Sequence, residues 1–491
     1  MIDVAQMGQA VQKLFGETAE RVARETKFVQ RESKMKGSKF MQTWVLGFLQ
    51  HPKASLNILC QVAADIGVSI TKQGLQERLT PLAVRFFEEM FDHSKAALQS
   101  KIPIPLKLLT QFTAVQLVDS SGIALPDSLA DEFPGAGGDG PKAGLKLQTI
   151  WEFLRGNLSD VIRQTSLQPD QAFDGHLAHI VPGVLFLCDL GYFVLTSLHD
   201  IAVEMAYFIS RLDTKCVLYD PTIQERFGLL AYLRKSPDDQ IELSLLVGRK
   251  VKLLCRVLAV RLPPDVVEER RRKAKDNARR KGRTLSAEKL AWLAWNVFIT
   301  NVPATMLTLR QVVLIYTLRW QIELLFRLWK SEAQLNRVAG HLRERVLCEI
   351  YAKLIGMVVF HYLTAPVRWA ERELSPVKAL QTLRRHVIEI AKAMDSLSGL
   401  QVALTKLLHR WKSFALKDKR RSRLSTCRQI ELAAARSLGG AVAEFFGKER
   451  SSRASSDDLQ WGVPLPEGSS EPMRWLAHPS SQQPWASGPL A

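Results

Sequence analysis

Tyr316-Thr-Leu-Arg319-Trp-Gln-Ile-Glu323-Leu-Leu-Phe-Arg-Leu-Trp-Lys330 is the stretch on which the reading of this chain turns. It contains no Gly or Pro and is rich in helix formers, so it predicts a helix. Tyr316, Arg319, Glu323 and Lys330 follow one another at intervals of 3, 4 and 7 residues. At about 100° per residue they fall within roughly 60° of one another, a phenol, two bases and an acid on one face. Most charged helix faces are solvated rows of i,i+4 pairs. Here Ile322, Leu324, Leu325 and Leu328 leave little of the helix polar, and the chain upstream offers partners for the acid.

Those partners are two carboxylates, each behind an apolar run. Phe112-Thr-Ala-Val-Gln-Leu-Val118 is short, apolar and β-branched, and predicts a buried strand ending on Asp119, with Ser120-Ser-Gly122 as its stop. Ile180-Val-Pro-Gly-Val-Leu-Phe-Leu187 predicts another, and Cys188-Asp189 follows it. Further strands are expected over Leu145–Ile150, near Val161-Ile162, and over Tyr207–Leu212, Ile241–Leu246, Val251–Leu258 and Trp295–Thr300. Asp127, Asp131 and Asp139 lie in a loop with no strand before them and are weaker candidates than Asp119. A single acid at a strand end is usually a cap. Two of them with a third on a basic helix face suit Mg²⁺, which takes carboxylate oxygens and keeps room for water and phosphate. Open sheets place ligands at strand ends of this kind.

Composition narrows the partner. The 491 residues carry 67 Lys+Arg against 49 Asp+Glu, a formal net charge of +18 with pI ≈ 9.7. Such an excess favours a polyanion, and nucleic acid leads. No run approaches the ~18 apolar residues of a membrane span, and the first sixteen residues hold no secretory apolar core. No membrane association is expected. The six cysteines are scattered without CxxC spacing, which argues against structural zinc and fits a cytoplasmic location.

Residues 1–105 predict a helical domain. Ser55–Gly67 and Val68–Arg78 outline a helix-turn-helix over about 55–80, with Thr71, Lys72, Gln73, Gln76 and Arg78 on the second helix. A purely structural helix pair is equally compatible with that pattern. Residues 106–212 and 304–365 form the two parts of an α/β core, and 213–303 a β-rich insertion. The insertion holds Arg270–Arg283, nine bases against one acid, which is either a solvated surface helix or linker or a contact for DNA backbone. Residues 366–450 predict a basic helical region, a candidate for dimerisation, with a second basic cluster at 417–423. Residues 451–491, with nine Ser and six Pro, predict a disordered tail.

The order of the acids, with Tyr-x2-Arg-x3-Glu-x6-Lys around the third, closely resembles the DDE transposases of bacterial insertion sequences, specifically the insertion-sequence-four family and its Y-R-E-K signature. The resemblance covers residues 35–450. It implies a ribonuclease H-like mixed-sheet core interrupted by the β-rich insertion and flanked by helical N- and C-terminal regions. It further implies that Asp119, Asp189 and Glu323 bind two Mg²⁺ ions, with Mn²⁺ able to substitute, and that Tyr316, Arg319 and Lys330 hold transposon-end phosphates, assisted by Arg327. A family tryptophan that stacks on a base flipped from a hairpin end stands 21 residues before the signature tyrosine, which selects Trp295, with Trp292 as a neighbour and a core role as the alternative. The implied activity is cut-and-paste transposition in a bacterial cell: a homodimer in a synaptic complex cuts double-stranded DNA at terminal inverted repeats and joins 3′-OH ends to target DNA. A catalytically inactive DNA-binding relative or inhibitor of transposition is the alternative.

Overall fold

The computed structural model describes residues 3–137, 140–368, 373–418 and 424–437. Asp139, most of the second basic cluster (419–423) and the tail from 451 lie outside them. The chain forms two compact units, one of 1–179 with 321–424 and the other of 180–320 with the segment from 425. The chain passes from one to the other within the quoted stretch, between Trp320 and Gln321.

In the first unit, every regular element of the N-terminal hundred described residues is a helix. Gly37–Gln50 is buried along almost its whole length and packs against Leu56–Asp65, Arg343–Thr364 and Pro376–Ala393. Phe40, Trp44, Phe86 and Phe87 interlock at ring distances of 5.3–6.4 Å. Ser55 caps Leu56–Asp65. The second helix of the outlined pair is shorter than expected, six residues from Lys72 to Glu77. The Thr71 hydroxyl accepts from the Gly74 amide at 3.0 Å and so starts the helix, leaving Val68-Ser-Ile outside it. Arg343–Thr364 is the buried central helix. With the turn that follows it to Val367, it alone among the described residues has the length and composition to cross a membrane, and 89% of its most apolar stretch is buried in the protein.

Three antiparallel strands complete this unit: β1 Val115–Leu125, β2 Ala143–Glu152 and β3 Asn157–Thr165. The expected end of β1 is a correction. Asp119 is mid-strand, opposite Thr149, and the ladder runs on to Leu125 opposite Ala143. Ser120-Ser-Gly122 has turn composition, but β2 offers a continuous partner and tertiary pairing overrides the local preference.

The second unit holds a mixed sheet of β4 Leu185–Cys188, β5 Tyr207–Arg211, β6 Leu218–Tyr219, β7 Gln240–Val247, β8 Leu253–Arg261 and β9 Trp295–Thr300, in the order β4-β5-β9-β8-β7-β6. Among the described residues of this unit only β4 and β5 are parallel, joined by the helix Leu195–Val203 as parallel strands require. The strands of the β-rich segment extend this sheet through β9, which pairs with β5 on one side and β8 on the other. The antiparallel β1–β3 and the β4–helix–β5 crossover are the components of the ribonuclease H-like α/β core that the sequence implies.

Candidate active site

Asp189 leaves β4 at its carboxyl end, where four buried residues, Leu185 to Cys188, fix the strand and the next position reaches the surface. The quoted stretch that meets it is helical throughout but is not one α-helix, a second correction. Leu309–Tyr316 is α-helical, Thr317–Arg319 a 3₁₀ turn, Trp320–Arg327 α-helical again, and Leu328–Glu332 a π turn. The Thr317 hydroxyl donates to the Leu314 carbonyl at 2.6 Å and competes there with the regular ladder.

The tight turn has a chemical effect. In 3₁₀ winding, residues i and i+3 eclipse one another, and Tyr316 and Arg319 converge on one carboxylate. The Tyr316 hydroxyl donates to Asp189 Oδ1 at 3.5 Å and to the Cys188 carbonyl at 3.4 Å, the outer limit for such bonds. Arg319 Nε lies 3.7 Å from the same Oδ1, its side chain only 16% exposed. Tyr316 is buried with its ring edge-on to Phe298 of β9, 5.0 Å between centroids. Burial, and then the Asp189 charge, push the phenol well above its ordinary pKa, so it acts as a neutral donor.

In the other unit, Asp119 is half-buried on β1 and its Oδ1 accepts from the Ser120 amide at 2.8 Å. Lys330 is half-buried on the π turn; burial lowers its pKa while attraction to Asp119 opposes the shift. Glu323 is half-buried and Arg327 exposed. Beside Asp119 stands a network that sequence reading missed. Asp170 Oδ1 accepts from Ser120 Oγ at 2.9 Å and from Lys146 Nζ and Gln148 Nε2 at 3.1 Å. Asp170 opens a short 3₁₀ turn 51 residues after Asp119, and only the β1–β2 register gathers its partners.

Below the π turn, Lys353 and Glu349 form a fully buried pair at 2.7 Å. Lys353 also donates to the carbonyls of Gln334 and Arg337 at 3.0 and 2.7 Å, and Glu349 accepts from the Ala339 amide at 3.0 Å. The pair thus anchors the loop that follows Lys330. Trp295 is 6% exposed on β9 and the Arg261 guanidinium covers its ring at 4.6 Å, whereas Trp292 is half-buried at the end of a short helix. A base stacking on that face of Trp295 would have to displace Arg261.

Asp119 and Glu323 belong to one unit and Asp189 to the other, and among the described residues no three His, Cys, Asp or Glu side chains are grouped as a preformed metal set. The donors themselves suit a hard dication. All three are carboxylates, and each is only half-buried, which leaves access for water and phosphate oxygens.

Comparison with known proteins gives one consistent result. Residues 110–358 match the family described as Transposase DDE domain. The transposase for insertion sequence element IS231B of Bacillus thuringiensis subsp. berliner is 28% identical over 459 residues, 88% of this chain and 94% of that protein. The IS231E transposase of Bacillus thuringiensis subsp. finitimus is 29% identical over 404 residues, 77% of this chain and 84% of that protein. The IS1151 transposase of Clostridium perfringens is 26% identical over 432 residues, covering 82% and 90%.

Proposed function

Because the chain belongs to the DDE transposase family, whose members use divalent metal ions, we propose that it moves an insertion sequence by cutting and pasting. It cuts double-stranded DNA at terminal inverted repeats, passes through hairpin ends, and joins the freed 3′-OH to target DNA. The observation that carries this reading is the convergence of the Tyr316 hydroxyl and the Arg319 guanidinium on Asp189 Oδ1.

Asp119, Asp189 and Glu323 are assigned as the ligands of two Mg²⁺ ions, replaceable by Mn²⁺, which when bound activate a water or a 3′-OH and stabilise the leaving oxygen. The remaining roles follow from side-chain chemistry. Arg319, aimed by Asp189, offers a planar fork to a phosphate. Tyr316 supplies an O–H that stays protonated beside the carboxylate. Lys330 brings a compact charge to Asp119's side, and exposed Arg327 adds a contact one turn beyond Glu323. Trp295 receives an extruded base once Arg261 releases its ring. The helical 1–105 domain, with Lys72 and Gln73 exposed, grips DNA, and the helices of 366–450 serve dimerisation in a synaptic homodimer.

The test is single replacement of Asp119, Asp189 and Glu323 by Ala in the full chain. Each variant should lose Mg²⁺-dependent cleavage of end-bearing DNA and keep end binding. Full cleavage by any one of them would sink the assignment.

A further inference from the structure

The basic run folds chiefly as the helix Pro264–Arg280, opened by Pro264 in its first turn. Its attachments lie on one side. Val266 and Val267 are buried with Leu262 and pack on Ala294. Arg270 donates from a terminal guanidinium nitrogen to Asn296 Oδ1 on β9 at 3.0 Å, and Arg271 Nε donates to the Leu290 carbonyl at 3.1 Å. At about 100° per residue, Arg272, Lys275 and Arg279 fall within roughly 60° of one another, opposite Val266 and Arg270. All three are exposed.

From Arg272 onward the face is predominantly basic, whereas Asp265 and Glu268, both exposed, fall on the same side nearer the helix start. Glu269 is engaged with Lys273, and Asp276 lies 3.8 Å from Arg279. Arg272, Lys275, Arg280 and Lys281 have no ion pair among the described residues. Like charges at i,i+4, as at Lys275 and Arg279, destabilise a helix by themselves. From Arg272 to Arg279 the face spans about 10 Å, at ~1.5 Å per residue. The one side-chain amide of the helix, Asn277, falls on the inner side, so the donors of the outer face are Arg and Lys, which suit phosphate oxygens.

The inner end leads back to Asp189. Arg211 ends β5 opposite Phe298, on whose ring Tyr316 rests. Asn296, two residues before Phe298, shares its sheet face and holds Arg270. The parallel pairing of the two strands ends at Cys188↔Ser210, and Asp189 and Arg211 are the residues that follow it. The Arg211 side chain makes no hydrogen bond or ion pair among the described residues. Burial, and then Arg211, bring Arg270 down to about 10, as expected of a positive pair without a counter-charge.

We propose that Arg272, Lys275 and Arg279 bind the sugar–phosphate backbone of duplex DNA, with Arg270 and Arg211 continuing the positive track to Asp189. The duplex is either the element's end or the target. The inference rests on the proposed function in taking DNA as substrate.

The experiment compares the full-length protein with the triple variant Arg272→Gln, Lys275→Gln, Arg279→Gln, and with a triple variant that exchanges Arg and Lys at those positions. Circular dichroism and thermal melting establish that both fold. Binding is measured across a salt series to a duplex carrying the inverted repeats that flank the gene and to an unrelated duplex of equal length. Each lost phosphate contact lowers the slope of log K against log salt by ~0.9, so the Gln variant should lose about 2–3 and the exchanged variant nearly nothing. A fall on the repeat duplex alone assigns the face to the element's end, and a fall on the unrelated duplex assigns it to the target. An unchanged slope on both overturns the proposal. Mg²⁺-dependent cleavage of the repeat duplex is followed alongside. Cleavage that still depends on Asp119, Asp189 and Glu323 with an unchanged slope removes this inference alone. A reduced slope with cleavage independent of those acids removes the proposed function and leaves the backbone contact standing.

Discussion

Tyr316 and Asp189 meet through a single hydroxyl-to-carboxylate contact of 3.5 Å, and Arg319 approaches the same oxygen at 3.7 Å. Tyr316→Phe removes the donor and keeps the ring on Phe298. Hydrogen bonds to charged groups contribute about 1.5–3 kcal/mol, so end cleavage should fall about tenfold to a hundredfold. Thermal stability should change by no more than about 1 kcal/mol. Since burial and Asp189 raise the phenol's pKa, the wild-type rate should show no titration of this group up to about pH 10. A step in the pH profile that disappears in the Phe variant would contradict the neutral-donor role.

Lys330 is compact, half-buried and attracted by Asp119. Lys330→Ala should lower cleavage by about a hundredfold, the scale of removing one electrostatic group from such a centre. Lys330→Arg should recover part of the loss, because it restores charge but not the point geometry. Equal rates for the Ala variant and the wild type would remove Lys330 from the site.

His361 predicts a pH dependence of stability. Trp329 Nε1 donates to His361 Nε2 at 3.2 Å, which requires that nitrogen to be unprotonated, and Trp151, Trp329 and Phe360 surround the ring. Burial, and then Arg368, hold its pKa at about 3, and burial holds His176 at about 4. Both values are depressed below the ~6.5 of an unfolded histidine. The stability they contribute is therefore full above about pH 6.5 and lost as pH falls toward 3–4, at up to about 1.4 kcal/mol per pH unit for each. Urea unfolding between pH 7 and about 4.5 measures the loss. His361→Phe should make it shallower by about one proton; an unchanged slope would refute the assignment.

Glu349 and Lys353 are each 1% exposed. Lys353→Met leaves a buried carboxylate without its cation and should cost about 3–5 kcal/mol, whereas the double variant Glu349→Leu, Lys353→Met should recover much of it. A denaturant double-mutant cycle gives the coupling. Because Lys353 also holds Gln334 and Arg337, the double variant should remain impaired in cleavage even where stability returns.

Sequence carried a large part of this. β5 and β9 begin and end close to where their apolar runs do, whereas β4 takes only the last part of its run, Leu185–Cys188, and Asp189 stands at its end. β1 was harder to read. Its Ser120-Ser-Gly122 has the chemistry of a turn, and only β2, some twenty residues on, makes it strand. The register that brings Asp170 to Ser120, Lys146 and Gln148 is likewise a property of paired strands. Helical character was legible throughout Tyr316–Lys330, but its winding was not. A hydroxyl such as that of Thr317 can tighten a turn, and no helical periodicity records whether it does.

That uneven winding changes what the motif's spacing means. With a 3₁₀ turn at Thr317–Arg319 and a π turn at Leu328–Glu332, the interval from Glu323 to Lys330 is a length of chain threaded through two kinds of coil, not an angle on a wheel. A π turn already holds one residue more than the α-helix it interrupts, so the slack for an additional position has been taken up. Swapping neighbours of similar shape leaves such a ruler intact, while inserting or deleting a single position moves its last mark. The signature should therefore tolerate changes of letter between its four fixed residues far better than changes of count.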